Sequence, residues 1–149
     1  MVILARDPIW YKGIDYRGGT GHGVSYVMGV DKGTNSFRWH KSPTRNDDPV
    51  QEPDIVITDE PGVYIEGSHG IRTENELLCC AGAENEYGQF LHFETLTLAP
   101  IDLAPVRPEE MTAAERAWLN AYHARVYAEL APRLSEEERA FLAECTRAL

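Results

Sequence analysis

The sequence predicts an α+β fold in which a curved, mostly antiparallel sheet is followed by C-terminal helices. After a short N-terminal segment that resembles the end of a helix, the segments up to about residue 99 are strand-like or loop-like, and two further helical patterns follow Pro105. This order lacks the strand–helix alternation of parallel sheets. With 149 residues and 43% hydrophobic content, the chain is long enough to bury one core. We therefore expect a single domain over residues 1–149, in which residues 107–149 form the closing helices.

The elements before Pro105 are read from local patterns. The first dozen residues resemble the last turns of a helix, which Gly13 ends. Residues 37–52 are polar and interrupted by prolines, which is typical of a surface loop. Apolar and β-branched residues, in places alternating with polar ones, predict strands near residues 24–30, 55–65, 70–80 and 90–99.

Two helices are expected after Pro105. Thr112 with Glu115, and Ser135 with Glu138, have the spacing of a capping box, in which each side chain bonds the other residue's backbone N–H. Pro132 separates the two helices. One apolar stripe is expected to face the core from the first helix, and it consists of Trp118, Tyr122, Val126 and Leu130.

Composition excludes several classes of function. A net charge of −10 repels a phosphate backbone, so we expect no nucleic-acid partner. The start "MVILARDPIW" is too short for a signal peptide, and no apolar run is long enough for a membrane span. Three cysteines, two of them adjacent, do not form a disulfide framework, which favours a cytoplasmic location.

The stretch "YRGGTGHGVS" places His22 among glycines, directly before a strand-like run. Glycines allow close backbone approach, so the loop is shaped either for an occupant or simply for a tight turn. A phosphate is disfavoured because the loop lacks the lysine and the helix start of a P-loop.

His22 also has two candidate partners. Glu60 precedes a Pro–Gly turn, and Glu74 interrupts a strand-like segment. One imidazole and two carboxylates suit Mn, Co, Fe or Zn. The alternative is a turn histidine with two solvated glutamates.

Other candidates have weaker support. Ser25 and Ser68 have no adjacent base pattern, and the Cys79–Cys80 pair lacks CxxC spacing, so nucleophilic catalysis is not supported. The remaining histidines are expected to be solvated or hydrogen-bonded, and they are His40, His69, His92 and His123.

Four motifs in order, "GGTGHGV", "DEPGVY", "GIRTEN" and "FETLTLAPID", resemble the C-terminal half of the catalytic domain of Xaa-Pro aminopeptidases (aminopeptidase P). These hydrolases are metallopeptidases with the pita-bread fold. The resemblance implies half of that fold, with divalent Mn, Co or Zn as the cofactor. It also implies that His22, Glu60 and Glu74 are three of the metal ligands, converging on the concave side of the sheet.

The chain also departs from the family pattern. Where the family reads YRHGTGHGVG and NVHEGP, this chain has Gly18 and Asp31 in place of two accessory histidines. The family's two aspartate ligands belong to a half that does not match this chain. Asp47 and Asp48 lie after the histidine motif, out of the family's order, and are not counted as ligands.

The resemblance therefore implies a peptidase fragment that is inactive alone, with no confident catalytic residue of its own. Two alternatives remain open at this stage. One is a degenerate pseudoenzyme with a binding or interaction role. The other is one half of a split enzyme, completed by a complementary N-terminal half or a homodimer, which would act on a peptide substrate only when completed.

Overall fold

A helix and a set of antiparallel strands make up the first of two compact units, Met1–Thr97, and helices dominate the second, Leu98–Leu149. The computed structural model describes residues 2–16, 18–27, 32–37 and 50–149. The expectation of a single domain stays a prediction, and the two units are described separately.

Helix α1 of the first unit ends as predicted. Gly13 has a φ of +72°, which a non-glycine residue rarely adopts, and its N–H donates to the Trp10 carbonyl at 2.8 Å. The elements of this unit are α1 Val2–Tyr11, β1 His22–Gly23, β2 Lys32–Ser36, β3 Val56–Asp59, β4 Gly62–Ile65, β5 His69–Arg72, β6 Asn75–Asn85 and β7 Gly88–Thr95.

All described strand pairs are antiparallel, as the sequence predicted. Five strands form one sheet in the order β2-β1-β3-β6-β7, while β4 and β5 form a separate two-stranded sheet. The core side of β3 and β6 carries Ile57 and Cys79, both fully buried.

The strand expected at 24–30 is wrong over its described part. The strand ends at Gly23, and Val27 has a φ of +50°, which is incompatible with extended backbone. Residues 28–30 lie outside the described residues.

Two other predicted strands are each divided. The segment 55–65 splits into β3 and β4 because Pro61 has no N–H to continue a ladder, and 70–80 splits into β5 and β6. Each split leaves its carboxylate, Glu60 or Glu74, at the junction between the two sheets.

The second unit contains α2 Ala113–Leu130 and α3 Glu136–Cys145, with a short 3₁₀ turn at Ala131–Arg133 between them. Both predicted capping boxes are present. The core of this unit consists of Leu103, Leu119, Tyr122, Val126, Ala131 and Leu142.

Of the four residues in the predicted apolar stripe of α2, only the middle two, Tyr122 and Val126, are buried. Trp118 is 55% exposed and stacks on Tyr122, while Leu119 and His123 are buried instead. The reason is geometric, since residues four apart drift by about 40° around a helix at each step, which carries the ends of such a stripe off the core face.

None of the helices among the described residues combines the length and the apolarity needed to cross a bilayer.

Candidate metal centre

The glycine loop before β1 lies against β3. A Cβ at Gly21 would sit 2.0 Å from the carbonyl oxygen of Thr58, so the backbone approaches closer than any side chain permits. The loop is held there by hydrogen bonds, since the Glu60 N–H donates to the Thr20 carbonyl at 2.8 Å. This close approach brings His22 next to the end of β3.

The imidazole ring of His22 is oriented by the backbone carbonyl of the next residue, Gly23. Its Nδ1 lies 3.0 Å from the Gly23 carbonyl, which only accepts hydrogen bonds, so Nδ1 carries the proton. The other ring nitrogen, Nε2, lies 3.4 Å from Oε1 of Glu60 and is the nitrogen that would face a metal ion. This arrangement matches that of metal-binding histidines, whose second nitrogen is fixed by a carbonyl or carboxylate.

Glu60 is a buried carboxylate with partners on both oxygens. Its side chain is 10% exposed, and Oε2 pairs with a guanidinium nitrogen of Arg72 at 2.9 Å. Oε1 accepts a hydrogen bond from the Thr58 hydroxyl at 2.9 Å. These charge-assisted bonds offset the desolvation of the carboxylate and fix its direction.

Glu74 completes the cluster from the coil between β5 and β6. One ligand atom each from His22, Glu60 and Glu74 lies within 4.8 Å of the other two. Burial, and then the negative charge of Glu60, raise the pKa of neighbouring Asp59. The two carboxylates of the cluster, Glu60 and Glu74, would supply the oxygen ligands and the negative charge that favour a divalent cation.

The structure thus brings together the three residues that the sequence singled out as ligands. The accessory position Gly18 lies in the loop before Gly21, and its carbonyl accepts from the Arg6 guanidinium at 2.7 Å. A Cβ at Gly18 would meet the Tyr16 ring at 3.6 Å, an ordinary van der Waals contact. Asp31, Asp47 and Asp48 lie outside the described residues.

Sequence reasoning missed the support around the ligands. Thr58 is hydrogen-bonded to two of the ligand residues. Its Oγ1 donates to the Glu60 carboxylate and also accepts from the His22 N–H at 2.9 Å. Thr58 stands two residues before Glu60, and Arg72 stands two residues before Glu74. Residues two apart in an extended chain lie on the same face. This spacing could therefore have identified Thr58 and Arg72 as supporting residues.

Comparisons with known proteins identify the family of this chain. Residues 2–81 match the model of metallopeptidase family M24, and residues 89–149 match that of the C-terminal region of peptidase M24. The chain belongs to metallopeptidase family M24.

The curated relatives are more specific. The chain is 40% identical to aminopeptidase P1 of Arabidopsis thaliana over 97% of its length, and 35% identical to Xaa-Pro aminopeptidase app-1 of Caenorhabditis elegans, also over 97%. It covers only 22% and 24% of those two relatives. The expected resemblance to Xaa-Pro aminopeptidases is therefore confirmed for this part of their length.

A solved structure gives the same result. The X-prolyl aminopeptidase of C. elegans, described as a cytosolic enzyme with a di-nuclear active site, matches with a TM-score of 0.81 and 33% identity. The match covers 99% of this chain and 24% of that one. The predicted fold class, part of a pita-bread fold with an antiparallel sheet and helices, is confirmed.

Proposed function

We propose that this chain supplies the His22–Glu60–Glu74 part of a divalent metal centre in a peptidase that removes an N-terminal residue preceding proline. The observation that supports the proposal most directly is the convergence of three ligand atoms within 4.8 Å. The kinship with Xaa-Pro aminopeptidases supplies the reaction and the substrate class, a peptide with proline in second position.

The residues present fit a divalent ion. One neutral imidazole nitrogen and two carboxylates suit Mn, Co or Zn, and the relative from C. elegans has a di-nuclear site. When bound, such an ion supplies an activated water and polarises the peptide carbonyl. The chain's own residues keep the ligands in place: Thr58 and Arg72 direct Glu60, and the Gly23 carbonyl directs His22.

Alone, the chain lacks groups that the reaction needs. The resemblance assigns two aspartate ligands to polypeptide outside these 149 residues, and glycine at position 18 offers no hydrogen bond from a side chain. Each missing electrostatic or acid–base group typically costs about 10²–10³-fold in rate. We therefore propose that the isolated chain has no measurable peptidase activity.

The partner we propose is a complementary N-terminal segment that carries the aspartates. Apolar side chains line a groove of about 520 Å³ in the first unit, formed by α1, the following loop and the β4–β5 hairpin. Its lining includes Ile9, Ile14, Val63, Ile65 and Ile71, and covering such a surface favours association. A homodimer would duplicate the same three ligands and supply no aspartate.

A degenerate pseudoenzyme with a binding or interaction role is the second candidate, and Gly18 favours it. Among the described residues, the Tyr16 ring lies 3.6 Å from a Cβ built at Gly18, an ordinary contact that does not by itself require glycine there. In this alternative the metal ligands persist as inherited geometry, and restoring His at position 18 would not suffice to restore turnover.

The test is hydrolysis of an Xaa-Pro peptide with added Mn²⁺. The chain is assayed alone and mixed with the region of the C. elegans enzyme that precedes the matched segment. We expect no turnover alone, and turnover in the mixture that is lost in Glu74→Ala and raised in Gly18→His. Turnover by the chain alone that disappears in Glu74→Ala would contradict the need for a partner. A mixture that stays inactive even with Gly18→His would favour the pseudoenzyme.

A further inference from the structure

A second cluster of metal-binding side chains lies on the β6–β7 hairpin, separate from the first. One ligand atom each from Cys80, His92 and Glu94 lies within 4.8 Å of the other two. Cys80 lies five positions along β6 from its first residue, Asn75, a distance of about 16 Å in extended strand. The cluster therefore shares no residue with the centre formed by His22, Glu60 and Glu74.

The backbone register places these three residues together. Cys80 is directly opposite His92, and Leu78 is directly opposite Glu94, in regular antiparallel pairs. Residues opposite each other share a face, and so do residues two apart on one strand. The irregularity in this pairing begins only beyond Ala81, so the pairs that carry the cluster are unaffected.

The three residues of the cluster lie on the face of the hairpin opposite to Cys79. Cys79 is fully buried on the opposite side of β6, where it pairs with Phe93. Cys80 is half-buried, while the side chains of His92 and Glu94 are 53% and 61% exposed. Because the side chains of His92 and Glu94 are exposed, an ion from solvent has access to this face.

The donor set differs from that of the first centre. His92 Nε2 already lies 3.8 Å from Glu94 Oε1, and the Cys80 Sγ is the only sulfur in either cluster of the described residues. Thiolate, imidazole and carboxylate together suit Zn²⁺, whereas Mn²⁺ prefers oxygen ligands. Three protein ligands leave one tetrahedral position for water.

We propose that Cys80, His92 and Glu94 form a second metal site, which binds Zn²⁺ through sulfur, nitrogen and oxygen with a water as fourth ligand. Binding exchanges a proton for the metal: the Cys80 thiol loses H⁺ to solvent as the Zn–S bond forms, and no electron is transferred.

The experiment uses Co²⁺ as a spectroscopic probe of the reduced, metal-stripped chain. Cobalt bound to thiolate shows a charge-transfer absorption that nitrogen and oxygen ligands do not give, so the first centre is silent. We expect the band to saturate at one thiolate-bound ion per chain and to be abolished by added Zn²⁺, which binds more tightly. Cys80→Ser should abolish it. His92→Ala should weaken binding at least about 10-fold, the lower end of the cost of losing a supporting group alone.

The controls separate this site from other thiols and from the first centre. Cys145→Ser changes a half-buried thiol in α3, and His22→Ala changes the first centre, so both should keep the band. A band that survives Cys80→Ser, a ratio of one ion per two chains, or no band at all would overturn the proposal. These outcomes are independent of peptidase activity, so failure here leaves the proposed function standing.

Discussion

At the scale of single residues, the candidate centre depends on groups that bind no metal themselves. Thr58 is 2% exposed, and its hydroxyl joins the His22 backbone to the Glu60 carboxylate. Such supporting hydrogen bonds keep ligands in one orientation, and their loss typically lowers metal affinity 10–100-fold, as an order of magnitude.

Thr58→Val tests this support with a side chain of nearly the same shape. We expect Mn²⁺ affinity to fall by about 10-fold or more, because Oε1 of Glu60 loses its donor while the ligands remain. Calorimetric titration measures the change, and Thr73→Val is the matched control at an exposed position. Equal affinity in both variants would show that Thr58 has no positioning role.

The sequence identified the ligand residues better than it identified their surroundings. His22, Glu60 and Glu74 stood out because a histidine among glycines and carboxylates beside strand breaks are unusual local contexts. Thr58 and Arg72 belong to ordinary strand sequence, and their roles appear only when tertiary pairing brings them to the ligands. Position 31 lies outside the described residues, so its predicted departure from the family stays a prediction.

At the scale of elements, local signals predicted the helices more accurately than the strands. Capping boxes are contained within four residues, so Thr112 and Ser135 mark the starts of α2 and α3 directly. Pro61 is a local signal for the first split, which the predicted strand 55–65 nevertheless ran through. The split at Glu74 depends on which strands pair, and because pairing is non-local, the sequence pattern ran β5 into β6.

The capping box of α2 makes a prediction about stability and its pH dependence. The N–H and hydroxyl of Thr112 donate to Glu115 at 2.7 and 2.8 Å, and these hydrogen bonds lower the pKa of Glu115. We expect Thr112→Ala to reduce the free energy of unfolding by about 1 kcal/mol at about pH 7. A lowered carboxylate pKa stabilises the fold above its ordinary value of 4.5, and this contribution is lost as the pH falls through the folded-state pKa.

The difference between wild type and Thr112→Ala should therefore shrink below pH 4.5, as measured by urea unfolding. Thr73→Ala is the control, since it alters a threonine outside any helix. A difference that is equal on both sides of that pH would show that the Thr112 hydroxyl, whose hydrogen bond adds to that of the backbone N–H, does not lower the pKa of Glu115.

At the scale of the whole molecule, the chain corresponds to about a fifth to a quarter of the relatives it matches. Its first unit contains all three proposed ligands and the apolar groove, and its second unit has a core of its own. We therefore expect this chain to bind metal by itself but to show peptidase activity only with a complementary segment. These two properties are measured separately, so one does not depend on the outcome of the other.

Metal binding by the three proposed ligands is tested by a calorimetric titration of the metal-stripped chain with Mn²⁺. Manganese is chosen because it prefers oxygen and nitrogen over sulfur, which leaves Cys80 out of the result. We expect saturable binding of about one ion per chain, lost in His22→Ala and retained in His69→Ala, a matched exposed histidine. Absence of binding, or binding that His22→Ala leaves unchanged, would show that His22, Glu60 and Glu74 do not form a metal centre.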